Sequence, residues 1–333
     1  LLPHVLPCSS TRYDDISTRE KKIFTPNLLS PLLAIEKAWE NAKLCDDRNE
    51  LLSKHINVRH PKTAIVAGSS LGMLDNVSQQ LEQIPSKLSP YTMSRLRGNS
   101  MTVPFAIRFG LGAGDFSLSA ASATGGQAMW MAGNLIQLGA ADQVVALCTD
   151  TLNSTLTRQA LQAMGATAKS THSRPLTCTR SGMRPMSASA AIILETAESA
   201  CKRNHTPLAR WLGGSIKNEC YHVVAPEPTG NALKEAHAEI LGKTGLETSN
   251  IDWLSMHATG TKVWDSIEAH VIKALFGETL PHLSAFKRTF GHTLSVAGIL
   301  ETAMLVEGLS SGCLPQWPDD IDPAFNLKKP SHV

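Results

Sequence analysis

The stretch Phe116–Trp130, FSLSAASATGGQAMW, reads as an apolar strand that stops abruptly and turns into a helix. Alternation through Phe116, Leu118 and Ala120 predicts the strand. Small residues from Ala120 to Gly126 let the backbone turn sharply, and Gln127 to Leu138 carry a helical pattern. A side chain at such a turn projects above the sheet and lies at a helix N-terminus, which is where enzymes place nucleophiles. Here that side chain is Ser122, between Ala121 and Ala123, with no histidine or carboxylate close by in sequence. The stretch alone leaves three readings: a nucleophile, the remnant of one, or a small residue in a tight corner.

Working outward, NLLSPLLAIEKAWENAKL predicts a helix over Asn27–Leu44, and TAIVAGSSLG a short buried strand ending in a glycine turn. GLGAGD, Gly110–Asp115, has the look of a nucleotide loop. It precedes a strand, however, whereas a dinucleotide loop follows one and opens a helix. DQVVALCT is an all-apolar strand of the kind covered on both faces. A similar plan follows: ASAAIILE predicts a buried strand, and NALKEAHAEILGKTGL a helix closed by Gly245. IDWLSMHATGT is a strand running into a loop at His257, and DSIEAHVIKALFG a helix capped by Asp265 and closed by Gly277. HLSAFKRTFGHT is a strand and loop, followed by the apolar helix LSVAGILETAMLVEGLSSG. Alternation of this kind indicates an α/β architecture in two similar halves, 1–203 and 204–333, packed as one unit.

Composition agrees with buried sheets. The 333 residues are 42% hydrophobic and only 18% charged, and the formal charge of +2 argues against a dedicated nucleic-acid binder. No run approaches the ~18 apolar residues of a membrane span. The start, LLPHVLPCSSTRYDD, lacks a basic n-region, a cleavage site and a convincing first strand, so no signal peptide is expected. Seven cysteines without a CxxC pair point to a reducing, cytoplasmic compartment, with Cys148 and Cys201 expected as buried structural thiols. The twelve histidines show neither HExxH nor zinc-finger spacing, so no metal is expected.

Polar groups recur where strands end: Ser122, then His257 in HATGT, then Lys287 and His292 in FKRTFGH. Each taken singly has a bland reading as a hydrogen-bonded loop residue. Asp265 and Glu268 read as an N-cap and a first-turn carboxylate. Glu301 lies inside an apolar helix, where a carboxylate without a partner is costly, and Lys287 is the partner type it calls for.

Taken together these segments resemble the β-ketoacyl-ACP synthase family, the condensing enzymes of fatty acid and polyketide assembly. The resemblance covers roughly Leu88–Leu327 and is strongest in HATGTKVWDSIEA and FKRTFGHTLSVAGILE; SRPLTCTRSG followed by AAIILE matches more loosely. It implies a thiolase-like fold of two βαβαβ halves in five layers. It also implies a dimer paired through the strand before the nucleophile, and acyl-carrier protein as partner. No cofactor of the chain's own is implied, the phosphopantetheine arm coming with the carrier. In the family the elbow carries an acyl-accepting cysteine, which aligns with Ser122. By the same resemblance His257 and His292 would polarise the malonyl thioester and stabilise the enolate formed as carbon dioxide leaves. Lys287 with Glu301 would support them, and Thr259 and Thr261 would hold the pantetheine arm.

Several positions depart from the family pattern. Ser122 replaces the cysteine, Ala258 stands for a glycine, RSGMRPMSAS lacks an acidic residue near Ser187, and KKPSHV ends the chain without the C-terminal gatekeeper hairpin. Three functions are compatible with this pattern. One is a ketosynthase-like, chain-length-factor-like subunit of fatty acid or polyketide (polyene included) elongation that pairs with an active ketosynthase. The second is a Ser122-dependent acyltransferase or malonyl decarboxylase acting on acyl-ACP. The third is an ordinary synthase carrying an engineered Cys-to-Ser change at position 122.

Overall fold

The structure, a computed structural model, describes residues 21, 24–44, 59–82, 89–169 and 173–329. Cys8, Cys45, most of the opening segment and the last four residues lie outside them. In chain order the elements used below are α1 (Leu29–Asn41), β1 (Thr63–Gly68), α2 (Val103–Phe109), β2 (Gly114–Leu118), α3 (Thr124–Gln137), β3 (Gln143–Asp150), β4 (Ala188–Glu195), α4 (Asn231–Thr244), β5 (Trp253–Ser255), α5 (Lys262–Phe276), β6 (His282–Ser284), α6 (Lys287–Phe290) and α7 (Ala297–Ser311). The expected α/β alternation is present.

Two compact units are interleaved along the chain. One comprises the described residues within 1–159, 187–211 and 294–306, the other those within 160–186, 212–293 and 307–329. The expected division near residue 203 is therefore crossed twice, once by 160–186 and once by the first turns of α7.

The first unit is built on a four-stranded sheet of order β2-β1-β3-β4. β1 runs parallel to β2 and β3, and β4 closes the sheet antiparallel to β3. Every residue of β1 and β3 is buried, because both faces are covered. On one face Ile65, Ala67, Val145 and Leu147 pack with Ile35 and Trp39 of α1 and Phe105 and Phe109 of α2. On the other, Ala64, Val66, Val144 and Ala146 pack with Ala128 and Ala132 of α3 and Ile299 of α7. One strand expectation needs correction. ASAAIILE is not a fully buried strand: as an edge it buries only Ala190 and Leu194. The apolar strand before the turn runs Gly114–Leu118 and forms the opposite edge, with Phe116 36% exposed.

The second unit holds the parallel pair β5-β6 with Leu283, Met256 and the α5 residues Ala269, Ile272 and Phe276 in its core. α4 and α5 end, as expected, at Gly245 and Gly277, both with positive φ. The α5 start differs from expectation. The helix begins at Lys262 and its N-cap is Thr261, whose hydroxyl accepts the Trp264 N–H at 3.3 Å. Asp265 is therefore a first-turn residue, and its carboxylate turns back to the preceding loop.

Leu294–Ser311 reaches the length and apolarity of a membrane span, with mean hydropathy 1.3, which the sequence reading missed. Its leading residues Val296 and Ile299 are fully buried in the first unit's core, as expected of a core helix. Cys148 is buried as expected, and burial pushes its thiol pKa well up. Cys201 is exposed instead. It follows Ala200, the buried residue of its short helix, and the ~100° turn per residue carries it to the outer face.

Candidate active site

In the first unit, Ser122 occupies a tight elbow between β2 and α3. Ala121 adopts φ 47°, a left-handed conformation that is costly for a residue with a Cβ. The turn is latched by Thr124, fully buried, whose hydroxyl accepts the Ala120 N–H at 2.9 Å and donates to the Ala121 carbonyl at 2.7 Å. α3 starts two residues beyond Ser122, so the partial positive charge of the helix N-terminus lies at the elbow.

The same helix end is packed backbone to backbone on α7. A Cβ on Gly125 would lie 2.7 Å from the Ser295 carbonyl and 2.9 Å from the Ile299 nitrogen. A Cβ on Gly298 would lie 2.6 Å from the Gly126 nitrogen. Buried Asp150, at the end of β3, ties this region to the loop after β1. Its carboxylate accepts the Ser295 N–H at 2.9 Å, the Ser69 hydroxyl at 2.5 Å, the Ser70 hydroxyl at 2.6 Å and the Leu71 N–H at 3.1 Å. Glu301 is buried on α7 in this unit. Thr124, Asp150 and the two glycines were not singled out from sequence. The small pairs Gly125-Gly126 and Ala297-Gly298 are the signal that could have found the close approach.

The second unit brings His257, His292 and Lys287 together with Glu268 and Asp265. The two imidazoles lie 5.5 Å apart between ring centres and nearly perpendicular, at 87°. The Trp264 ring meets His257 edge-on at 5.9 Å. His292 and Lys287 are each only 1% exposed. Burial, and then the charge of Lys287, holds His292 down to about 3 and His257 well below the ordinary histidine range. Both rings are neutral at pH 7. Each then offers one N–H donor and one acceptor, the form suited to polarising a carbonyl without transferring a full charge.

Backbone contacts aim these histidines. Glu268, in the second turn of α5, accepts the backbone N–H of His257 at 2.5 Å and of Ala258 at 2.7 Å. Burial raises its pKa to about 7 in spite of those bonds. Ala258 has φ 34°, so the loop is strained where Glu268 grips it. Asp265 accepts the N–H of Leu176 at 2.7 Å and of Gly260 at 3.0 Å, and burial raises its pKa as well. Thr259 and Thr261 bond to each other at 3.0 Å. His292 is clamped on both sides: its N–H donates to the Arg184 carbonyl at 2.7 Å, and its carbonyl accepts the Met186 N–H at 2.9 Å. The Arg184–Met186 clamp was not visible in the sequence, because it pairs segments more than 100 residues apart.

Two family models match nearly the whole chain: the β-ketoacyl synthase N-terminal domain over residues 7–200 and the C-terminal domain over residues 208–319. The chain belongs to the β-ketoacyl synthase family. A chloroplastic 3-oxoacyl-[acyl-carrier-protein] synthase I of Arabidopsis thaliana is 27% identical over 91% of this chain and 66% of its own length. A putative mitochondrial 3-oxoacyl-[acyl-carrier-protein] synthase of Schizosaccharomyces pombe is 30% identical over 76% of this chain and 63% of its own. The chain thus spans slightly under two thirds of these two relatives. Among solved structures, a β-ketoacyl synthase from Burkholderia phymatum matches with TM-score 0.81 at 21% identity, over 96% of this chain and 78% of that one. The ishigamide ketosynthase/chain length factor matches with TM-score 0.77 at 21% identity, over 97% and 76% respectively. These neighbours share the fold, and this β-ketoacyl synthase relative is a divergent member with serine at the elbow.

Proposed function

We propose that this chain is a ketosynthase-like subunit of fatty acid or polyketide chain elongation, acting on acyl-carrier protein beside an active ketosynthase in the manner of a chain-length factor. The observation that carries the proposal is the contrast between its two halves. The elbow holds a serine, whereas the histidine pair keeps a buried, neutral, backbone-aimed geometry. A helix N-terminus assists a thiol by favouring thiolate. A serine hydroxyl keeps its proton at neutral pH and needs a positioned base to become a nucleophile. Loss of the thiol therefore weakens acyl acceptance while leaving the extender-unit chemistry intact.

A solved ketosynthase in complex with its chain length factor from Xenorhabdus doucetiae, TM-score 0.75 at 23% identity, lends support to a heterodimeric partner. So does the edge of β2, which among the described residues pairs only with β1 and leaves Phe116 exposed. An uncovered parallel-sheet edge is a pairing surface, and strand pairing across a two-fold or pseudo-two-fold axis covers it.

The neutral histidine pair favours a second reading, malonyl decarboxylation. In that step the bond between Cα and the carboxylate breaks and carbon dioxide leaves. The electron pair passes through Cα to the thioester oxygen, which accepts from the imidazole N–H donors, and the enolate then takes a proton to give acetyl-ACP. No nucleophile is consumed. Incubation with malonyl-ACP, alone and with a co-expressed ketosynthase, separates the readings by the acetyl-ACP formed and by chain extension. Extension only with the partner, through a stable heterodimer, supports the subunit reading. A stoichiometric acyl adduct on Ser122 would overturn it.

A further inference from the structure

The second unit holds one residue in a costly conformation beside the histidine loop. Leu176 is fully buried and adopts φ 66°, a left-handed backbone that penalises a residue with a Cβ. Such strain persists only where the surroundings over-determine it. Here the backbone is held on both sides. The Leu176 N–H donates to the Asp265 carboxylate at 2.7 Å, and its carbonyl accepts the Asp322 N–H at 2.8 Å. The next carbonyl, that of Thr177, accepts from Nη1 of Arg180 at 2.8 Å.

Arg180 is the meeting point of three segments. The same nitrogen donates to the Asp322 carboxylate at 2.7 Å, and Nη2 donates to the Ser266 hydroxyl oxygen on α5 at 3.1 Å. The guanidinium carbon lies 4.5 Å from the centre of the Phe325 ring, a cation–π contact. From this hub the hydrogen bonds lead to the His257 loop. Asp265 accepts the Gly260 N–H with its other oxygen at 3.0 Å, and the Gly260 carbonyl accepts the Gly182 N–H at 2.9 Å. A Cβ on Gly260, where φ is 84°, would lie 2.7 Å from the Ser173 hydroxyl and 2.8 Å from the Gly182 carbonyl. The turn after His257 is therefore closely confined.

We propose that Arg180 is a positioning residue for the histidine site: it holds Leu176 and Thr177 against Asp322 and α5, keeps Asp265 turned onto Gly260, and so fixes the turn that carries His257. A tie for the 320–325 segment alone would need only the Asp322 pair. The Thr177 and Ser266 contacts and the strain at Leu176 are what the positioning role accounts for. Electrostatics acts in the same direction. Burial raises the pKa of Asp265, while the Leu176 and Gly260 N–H groups and then the charge of Arg180 oppose that rise. Arg180 thus favours the ionised carboxylate, which accepts both N–H groups.

The test compares the intact parent chain with Arg180→Gln and Asp322→Asn by amide hydrogen exchange. Mass spectrometry follows peptides covering 174–182 and 257–262, with β3 as reference. Arg180→Gln should exchange about tenfold faster in both windows, the worth of one hydrogen bond to a charged group, with β3 unchanged. Asp322→Asn keeps an oxygen for the Ala324 N–H and loses only the charge paired with Arg180, so it carries the test if Arg180→Gln misfolds. It should exchange several-fold faster in 174–182. A second arm measures malonyl-ACP decarboxylation, and it alone rests on the decarboxylation reading of the site. There kcat should fall about tenfold in Arg180→Gln with KM unchanged, the mark of a group acting through transition-state geometry. A parent without decarboxylase activity would remove that reading and leave exchange to decide. Unchanged exchange in both windows, equal acceleration in β3, or an active parent whose kcat survives Arg180→Gln would overturn the proposal.

Discussion

The carboxylate of Glu268 holds the backbone N–H of His257 at 2.5 Å and, with its second oxygen, that of Ala258 at 2.7 Å. One buried side chain thereby orients a histidine through its backbone N–H. Both bonds are strongest to the ionised carboxylate, whose pKa burial raises to about 7. The rate of malonyl-thioester decarboxylation should therefore rise with pH through a limb centred near 7. Glu268→Gln can accept only one of the two N–H groups, because its amide nitrogen opposes the other. It should lower the rate about tenfold and abolish the limb. A Glu268→Gln variant with an unchanged pH–rate profile would refute the positioning role.

His292 and Glu268 make opposite contributions to stability against pH. The folded-state pKa of His292, about 3, lies below its ordinary 6.5, so between those values the unfolded chain binds a proton that the folded chain refuses. Its effect is to lose stability as pH falls from 6.5 toward 3. Glu268 runs the other way: between 4.5 and about 7 the folded chain keeps a proton that the unfolded chain has released, so stability falls as pH rises through that window. Urea denaturation across pH 4–8 should show a shallower acid loss in His292→Asn and a shallower loss toward pH 7 in Glu268→Gln. Parallel curves for both variants and the parent would show that neither group titrates as described.

Gly125 and Gly298 let α3 and α7 approach backbone to backbone beside the elbow. Gly125→Ala puts a methyl 2.7 Å from the Ser295 carbonyl, with only main-chain atoms to give way. Destabilisation of about 1–3 kcal/mol is expected by thermal denaturation. Gly126→Ala, one residue along and with no atom within 4 Å of the added Cβ, should cost less than either close-approach variant. Equal losses at Gly125 and Gly126 would point to helix propensity in place of the contact.

At the elbow, the parent chain should form no stable acyl-enzyme at neutral pH, while Ser122→Cys should gain acylation from an acyl-ACP or acyl-CoA donor. The helix N-terminus stabilises a thiolate by about 1 kcal/mol, a benefit that a neutral hydroxyl does not share. Intact-protein mass spectrometry reads the adduct directly. An adduct on Ser122 itself would establish a serine acyltransferase, and none on the cysteine variant would mean a closed pocket.

Much of the local structure follows from the sequence. Period-two and continuous apolar runs locate β1 and β3, and Gly245 and Gly277 mark where α4 and α5 stop. The motif residues His257, Lys287 and His292 are legible because a short motif carries its chemistry in consecutive residues. Three further readings depended on neighbours. ASAAIILE has the composition of a central strand, but among the described residues its pairing with β3 alone makes it an edge. Asp265 has the composition of an N-cap, but Thr261 takes that role one turn earlier. Cys201 follows apolar residues but turns outward.

What the sequence by itself determined is which segments become strands and helices, and where reactive side-chain types stand along them, since both depend on periodicity and on residue type within a few positions. Tertiary structure alone decided how those side chains behave. It brought the His257 and His292 rings to 5.5 Å, buried Lys287 beside them and gave His292 its carbonyl partner on Arg184. It also set Arg180 between Thr177, Ser266 and Asp322. Desolvation and through-space charge act over ångströms irrespective of chain separation, so the neutral state of those histidines arises only when the folded core excludes water.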